Sequence, residues 1–553
     1  MAVTTSSFLT SSSLPSLDTV TNTLVSHYLV TFFVSVAVGY VVYQRLFAPL
    51  AGVPGPFWAS LGKGWLIVRA RKGDLHRELI RLHEVHGALV RVGPKELGLV
   101  AKGRVREGME YDGHSSGFHF FLFLSLTTIS IADLDGIKLI YGAGSQFHKS
   151  AWYSVLKGHR TFDPFAERDP HIHSAQKKLV IRPYAMETLK DLEPYVDSTV
   201  YHFITRMKEK MTLGEVDLGK WFQLFAFDVI GEITFSKRFG FMDAEEDDGS
   251  LKSVESTLAS ASWLGHVPWV FWTHDYLRPW IGNWLGVTNR TGSLMQRALK
   301  EVEERKKRGT DRNDFLEKFF RLQREKPDQV TDTAVISMAA ANITAGSDTT
   351  AISLRSIIYH LLRNPQHLDT LRQEIDTARR ENRLSDPVTM EEAERMPFLQ
   401  ACIMEGLRIH PSIGGLLPRD VPRGGCVIAG RFIPEGHVVG TSAWVINRNT
   451  SIYGHDAAEF NPERWIKGNR AEMQRYFLTF GGANRMCFGK NIAFMEMTKM
   501  VPTFLRHFDV QLTYPERPLK EKNFFFVIQE GLIVNLKERG DEQSNGGAEK
   551  EVY

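Results

Sequence analysis

The stretch from Thr331 to Arg363 constrains the fold more than any other part of the chain. It holds no proline, and its middle, VISMAAANITAG, is apolar or small on every side. A helix without a polar face is stable only when surrounded, and this one outruns the usual range of roughly 8–20 residues. The pattern predicts a buried central beam in a large domain, closed by Asn364-Pro365. Further helical periods lie at Leu75–His86, Pro194–Lys210, Gly292–Arg308, Asp314–Glu325 and His367–Glu381. Strand-like runs are short: Leu89–Val92, Cys426–Ile428, Val438–Thr441 and Leu532–Leu536. No repeat and no interior linker divides the body. The expectation is a mainly α fold with small β-sheets, one domain over 57–536.

The 553 residues are 43% hydrophobic, enough for a large core. Lys and Arg number 67 against 64 Asp and Glu, a net charge of +3, so the surface is mixed and nothing favours nucleic acid. The cysteines are Cys402, Cys426 and Cys487. Three make no disulfide framework and fit a reducing compartment. At most one need be chemical.

Residues 1–23 form a short, nearly uncharged segment, and 24–44 are almost wholly apolar. About 20 such residues span a bilayer. A cleavable signal peptide wants a basic start and a small-residue cleavage site, and neither is evident; a buried core helix is the bland alternative. Arg45, Lys63, Arg69, Arg71 and Lys72 follow the segment, which places the body on the cytoplasmic side. Residues 45–56 end in AGVPGP and read as a stiff hinge. Residues 537–553 read as a disordered tail.

Cys487 lies in a glycine-rich loop, Phe480 to Gly489 (FGGANRMCFG), directly before a helical pattern. Free amides and the positive end of a helix dipole favour a thiolate there. Alone, such a cysteine is more often a buried structural thiol. Glu405 and Arg408 sit three apart on one helical face in an apolar context, CIMEGLRIHP. A buried pair needs more partners, and Arg464 in Pro462-Glu463-Arg464-Trp465 is available. Within the central helix, Ala345 to Thr350 reads AGSDTT. Gly346 costs about 1 kcal/mol there relative to Ala, and threonine hydroxyls bonding back can bend a helix. The bland reading is a tolerated kink.

Taken in order, apolar anchor, proline hinge, AGSDTT, Glu-x-x-Arg, Pro-Glu-Arg-Trp and cysteine loop resemble the cytochrome P450 superfamily over residues 24–536. FDVIGEITFSKRFGF (Phe227–Phe241) and PRDVPRGG (Pro418–Gly425) are similar to the fungal microsomal, pisatin-demethylase-like type. The loop matches Phe-x-x-Gly-x-Arg-x-Cys-x-Gly at Phe480, Arg485, Cys487 and Gly489. Ala483 stands where the family has its first glycine, and Gly482 is expected to take up the turn. The resemblance implies haem b, with Cys487 as the axial ligand of the iron, a thiolate whose electron density favours O–O cleavage. Phe480 would pack on the macrocycle. Arg485 would meet a propionate, with His173, Lys177 and Arg419 as further cofactor contacts. Thr349 would hydrogen-bond bound dioxygen and Asp348 would help relay protons from water. Glu405, Arg408 and Arg464 would form a structural network behind the loop, with Trp465 a mild replacement for Phe. Ala341, Asn342 and Ala345 would face substrate, together with Ser412–Leu417 and the loop around Ser145–Asp163.

The implied reaction inserts one atom of dioxygen into a lipophilic small molecule with NADPH-derived electrons, in a fungal secondary-metabolite pathway. No Gly-x-Gly-x-x-Gly opens a βαβ unit, so electrons are expected from a separate NADPH-cytochrome P450 reductase. Lys177, Lys178, Arg182, Lys490 and Lys499 are a candidate basic docking face. The implied setting is the endoplasmic reticulum membrane, single-pass, with membrane lipid as a partner and the catalytic domain cytosolic. A reductase-independent haem-thiolate isomerase or dehydratase, and a non-catalytic haem-binding protein, are the alternatives; the Asp348-Thr349 pair disfavours both.

One segment stands apart. Leu89–Leu97 and Ser130–Asp133 read smoothly if joined, but Gly98–Ile129 intervene, ending in FHFFLFLSLTT. Phe, Leu and Ser codons are what a pyrimidine tract translates into, so the expectation is a retained in-frame intron.

Overall fold

The computed structural model describes residues 17–94, 127–285 and 292–540. Two units emerge, Met1–Val53 and Pro54–Tyr553. Their boundary falls inside the expected 45–56 hinge.

In the first unit the helix Leu17–Val42 passes into a π-helical turn, Tyr43–Phe47. Ser26–Phe47, 22 residues at mean hydropathy 1.5, is long and apolar enough to cross a membrane. Tyr28, Phe32, Phe33 and Val34 stand exposed along it, a surface at home in hydrocarbon rather than water. The expected short segment 1–23 lies outside the described residues up to 16, and from 17 it is helix.

The second unit is mainly α with small sheets. Its beam is the central helix Asp332–Arg363, capped by the Thr331 hydroxyl on the Ala334 amide and ended by Asn364, after which Pro365 opens the next helix. A flanking helix, Leu218–Phe235, is buried throughout except at Lys220 and packs on the beam. At Gly346 a Cβ would lie 2.3 Å from Ile230 Cδ1. Gly346 therefore serves a close seam between two helices, and the helix runs unbroken through it. Around the seam, Phe203, Phe222, Phe225 and Phe504 join one continuous apolar core.

The main sheet has five strands, in the order Leu89–Pro94, Thr127–Ile131, Val438–Gly440, Arg419–Asp420, His148–Lys149. The first two pair antiparallel from Leu89↔Ile131 to Pro94↔Thr127. Thr127–Ile129, expected in the anomalous segment, thus belong to the sheet; the rest of that segment lies outside the described residues. At the other end the strand Ile533–Glu538 pairs with Phe508–Leu512, and Arg539 donates to the Leu505 carbonyl and Asp376. The body therefore runs past 536, and the expected tail is corrected at 537–540; its remainder lies outside the described residues.

Candidate functional site

The loop Phe480–Gly489 is held by its own backbone. The Cys487 amide donates to the Phe480 carbonyl at 2.9 Å and the Arg485 amide to Gly482 at 3.1 Å. Gly481 takes φ +74° and Ala483 φ +41°, whereas Gly482 is extended at φ −133°. The expectation that Gly482 takes up the turn fails: Ala483 itself enters the left-handed region, at a cost of about 1–2 kcal/mol. Gly489 caps the helix Lys490–His507. Burial pushes the Cys487 thiol up, while the amides of Gly489 and Lys490 and the Lys490 ammonium pull it down. The thiol is nevertheless accessible, so it faces an interior space rather than packed side chains. Such a sulfur ionises when a cation coordinates it.

A stripe on the central helix has the same character. Ala341 and Ala345 are exposed and Thr349 half-buried, between buried neighbours; a spacing of four puts all three on one face. The Thr349 hydroxyl donates to the Ala345 carbonyl at 2.7 Å. Asp348 is buried, accepts from the Gln223 carboxamide, and is raised by burial to about 6. Asn342 does not join the stripe. Its Oδ1 accepts from the Tyr184 hydroxyl at 2.5 Å and its Nδ2 lies 3.4 Å from Thr234 Oγ1, so the substrate-facing role expected of it is corrected: its polar atoms are spent on a helix seam. Of the other expected lining, Ser412 donates to the Thr349 carbonyl at 3.1 Å, which ties that segment to the stripe.

Beside the loop lies a cluster of cations. Lys149, His173 and Arg419 are buried, Arg485 and Lys177 half-buried. Burial lowers Lys149 well below the usual lysine range, and Arg419 and Arg485 lower it further. Arg485 is brought down to about 10 by burial and by Arg419. His173 falls to about 3 through burial, then Arg485, Lys149, Lys177 and Arg419. Asp163 and Glu167 offset part of this at Lys149. The contacts made are to neutral oxygens: Arg419 to the Tyr153 hydroxyl at 3.1 Å and the Pro418 carbonyl, Arg485 to the Glu167 carbonyl at 2.8 Å, Lys177 to the Asn484 carbonyl at 2.8 Å, Lys149 to the Phe165 carbonyl. Among the described residues none of these four pairs directly with a carboxylate. Gathered cations without counter-ions fit a ligand that carries two carboxylates, as haem does. The accessible thiol two residues from Arg485 fits its iron. Lys149 escaped the sequence reading; the signal was a lysine set between Phe147 and Trp152, both buried.

Behind the loop the expected network is complete. Arg408 grips Glu405 with two bonds of 2.8 and 2.7 Å, and Arg464 Nε adds a third at 3.0 Å. Trp465 Nε1 donates to Glu405 at 2.8 Å, so the indole is a member of the network and not a mild replacement for Phe. Burial pushes Glu405 up, but Arg408 and Arg464 hold it below the usual carboxylate range. Arg408 also meets the Asn447 carbonyl, and the Asn447 side chain bonds Thr479 at 2.9 Å, one residue before the loop. Of the expected docking lysines, Lys499 is fully buried between Glu193 and Asp197, each at 2.6 Å, and is withdrawn from that surface. Lys178 and Arg182 are exposed.

The chain is similar in sequence to known proteins. The family model for Cytochrome P450 matches residues 118–535. Cytochrome P450 monooxygenase hepC of Aspergillus oryzae is 36% identical over 519 residues, 91% of this chain and 95% of that protein. Cytochrome P450 monooxygenase cicH of Emericella nidulans is 34% identical over 529 residues, 92% and 98% of the two chains. A pisatin demethylase of Fusarium vanettenii is 32% identical over 495 residues, 88% and 90%.

Proposed function

The chain belongs to the cytochrome P450 family and is a P450 monooxygenase, and we propose that it hydroxylates or dealkylates a lipophilic secondary metabolite with electrons from NADPH. The observation that carries this reading is the accessible Cys487 thiol beside Lys149, Arg419, Arg485 and Lys177, cations that pair with no carboxylate among the described residues. Haem b, when bound, supplies the oxidising chemistry of dioxygen that no side chain can. The chain does the rest. Cys487 would hold the haem iron, its sulfur favoured as a thiolate by the Gly489 and Lys490 amides. Lys149, Arg419, Arg485 and Lys177 would neutralise its propionates, and His173 stays neutral among them. Phe480 and Gly489 shape the loop against the macrocycle.

Ala341 and Ala345 leave room for an apolar substrate and exclude water from its face. The Thr349 hydroxyl, now on the Ala345 carbonyl at 2.7 Å, would donate a hydrogen bond into the substrate space, and Asp348 would hold or release the proton. Electrons reach the site from a separate NADPH-cytochrome P450 reductase, which docks on Lys178, Arg182 and Lys490. Ser26–Phe47 anchors the chain once in the endoplasmic reticulum membrane, with the body in the cytosol.

The test is a carbon monoxide difference spectrum of dithionite-reduced membranes bearing the full chain and a chain lacking Gly98–Ile129. The expected result is a strongly red-shifted Soret band in at least one of them, abolished by Cys487→Ala. Bound haem without that band in either chain overturns the reading.

A further inference from the structure

Asp348 is turned away from the Ala341–Ala345–Thr349 stripe. Its Oδ1 accepts from the side-chain amide of Gln223 on the flanking helix. The other end of that amide, Gln223 Oε1, accepts from Arg355 Nη2 at 2.8 Å. Arg355 lies two turns along the central helix from Asp348, buried, and its Nε and Nη2 both grip the Gly219 carbonyl at 2.9 and 2.7 Å. A Cβ at Gly219 would sit 3.3 Å from Arg355 Nε, so the glycine seats the guanidinium. Among the described residues Arg355 Nη1 has no acceptor. A buried guanidinium with a spare donor is held at a cost, offset in part by Asp348, Asp217 and Glu530 at longer range. The amide of Gln223 can present its N–H to Asp348 only while its oxygen is taken by Arg355; a flipped amide would set oxygen against oxygen. The two residues therefore act as one device with a fixed polarity.

We infer that Gln223 and Arg355 are positioning residues for Asp348: they hold its carboxylate in a parked orientation on the flanking helix and set its proton affinity. This rests on the P450 reading of the site. Delivery of a proton toward Thr349 then requires Asp348 to leave the Gln223 amide. Protonation weakens that bond, because the amide N–H prefers an ionised acceptor, so taking up a proton is what releases the side chain. Arg355 and Gln223 favour the ionised form, while burial and the carboxylates of Glu255 and Asp247 favour the neutral one. Arg355 in turn faces Asp217 and Glu530. The balance places Asp348 at about 6, near enough to neutrality for a proton to be gained and lost.

The experiment uses the haem-loaded full chain in detergent, with carboxyl-13C aspartate, and follows the protonated-carboxyl infrared band against pH. Asp348→Asn assigns the band. Gln223→Met keeps the grip of Arg355 on Gly219 while removing the donor to Asp348; Arg355→Lys keeps the charge but loses the fork that fixes the amide. The expected result is a wild-type midpoint near 6, moved up by about one pH unit in Gln223→Met, a tenfold gain in proton affinity, and moved the same way in Arg355→Lys. In turnover, both variants are expected to recover fewer of the NADPH electrons in product and more as peroxide. Midpoints equal to wild type in both variants, with the red-shifted carbon monoxide band retained, overturn the inference. The titration needs neither NADPH nor substrate, so its failure is distinct from failure of the monooxygenase reading, which the absence of that band in the wild-type chain would signal.

Discussion

Trp465 donates its indole N–H to Glu405 at 2.8 Å, the fourth side-chain bond on a completely buried carboxylate that also accepts from the Asn461 amide. Arg408 and Arg464 alone would leave one lone pair of Oε2 unmet, and in a low-dielectric interior an unmet charge is costly. The network therefore closes only with all four side chains.

Two substitutions separate its parts. Trp465→Phe removes one bond to a charged acceptor and is expected to cost about 1.5–3 kcal/mol, read by urea unfolding, with haem lost faster on dilution. Glu405→Gln leaves the buried Arg408 guanidinium without a counter-charge, Arg464 keeping Asp456 at 2.9 Å, and is expected to cost about 3–5 kcal/mol. Little folded chain should accumulate. Equal stability of both variants and wild type would rule out the network as the support of the loop.

The cation cluster predicts opposite effects with and without cofactor. Lys149→Met removes a charge that Arg419 and Arg485 repel, so the haem-free chain should unfold at higher urea than wild type. The haem-loaded chain should release its cofactor several-fold faster, because a propionate loses a partner. The two measurements moving together would contradict the assignment.

Asp348 gives a pH dependence with a definite sign. Its folded value, about 6, lies above the unfolded 3.8, so the folded chain binds more protons between those values and its stability falls as pH rises through that window. Asp348→Asn cannot ionise. Its unfolding midpoint is expected to match wild type near pH 4 and to exceed it at pH 7.

Lys499 and Lys178 are expected to part company. Lys499→Met leaves Glu193 and Asp197 without their shared cation and should lower stability by about 3 kcal/mol or more. Lys178→Glu, on an exposed side chain, should leave stability within about 0.5 kcal/mol. It should slow reduction by the reductase most at low salt.

Joining Leu97 to Ser130 places Leu97 where Ile129 stands opposite Arg91, with Ser130 and Ile131 keeping Val90 and Leu89 as partners. Val92 to Glu96 then forms the hairpin connection, a common length. A chain shortened in this way is expected to fold with higher yield, and sequencing of the transcript to show a message lacking the Gly98–Ile129 codons. A single, full-length message overturns the intron reading.

What could be read from sequence follows a physical line. The central beam, the cysteine loop and Glu405–Arg408 announce themselves because each is an anomaly within a few neighbouring residues: an apolar run, a glycine-rich turn, a charge pair among aliphatics. Leu75–His86 and Gly292–Arg308 carry a clean helical period, and both hold to the residue. Leu218–Phe235 shows no helical period because all of it but Lys220 is buried. Lys499 was misjudged because its two carboxylates come from a helix some three hundred residues earlier. Lys149 joins Arg419 and Arg485 only through the fold, and Asn342 was placed by its nearness to Ala341 rather than by the face it occupies.

Two neighbouring stripes of the beam lead different lives. Asn342 and Gly346 face Thr234 and Ile230 across a seam with no room for another carbon. Ala341 and Ala345, one residue away on each turn, stand exposed. Drift in selectivity is thus cheap on one stripe and lethal on the other. A lineage exploring new metabolites would vary the alanines and leave Gly346 alone, since the same helix keeps its scaffold and its palate on separate registers.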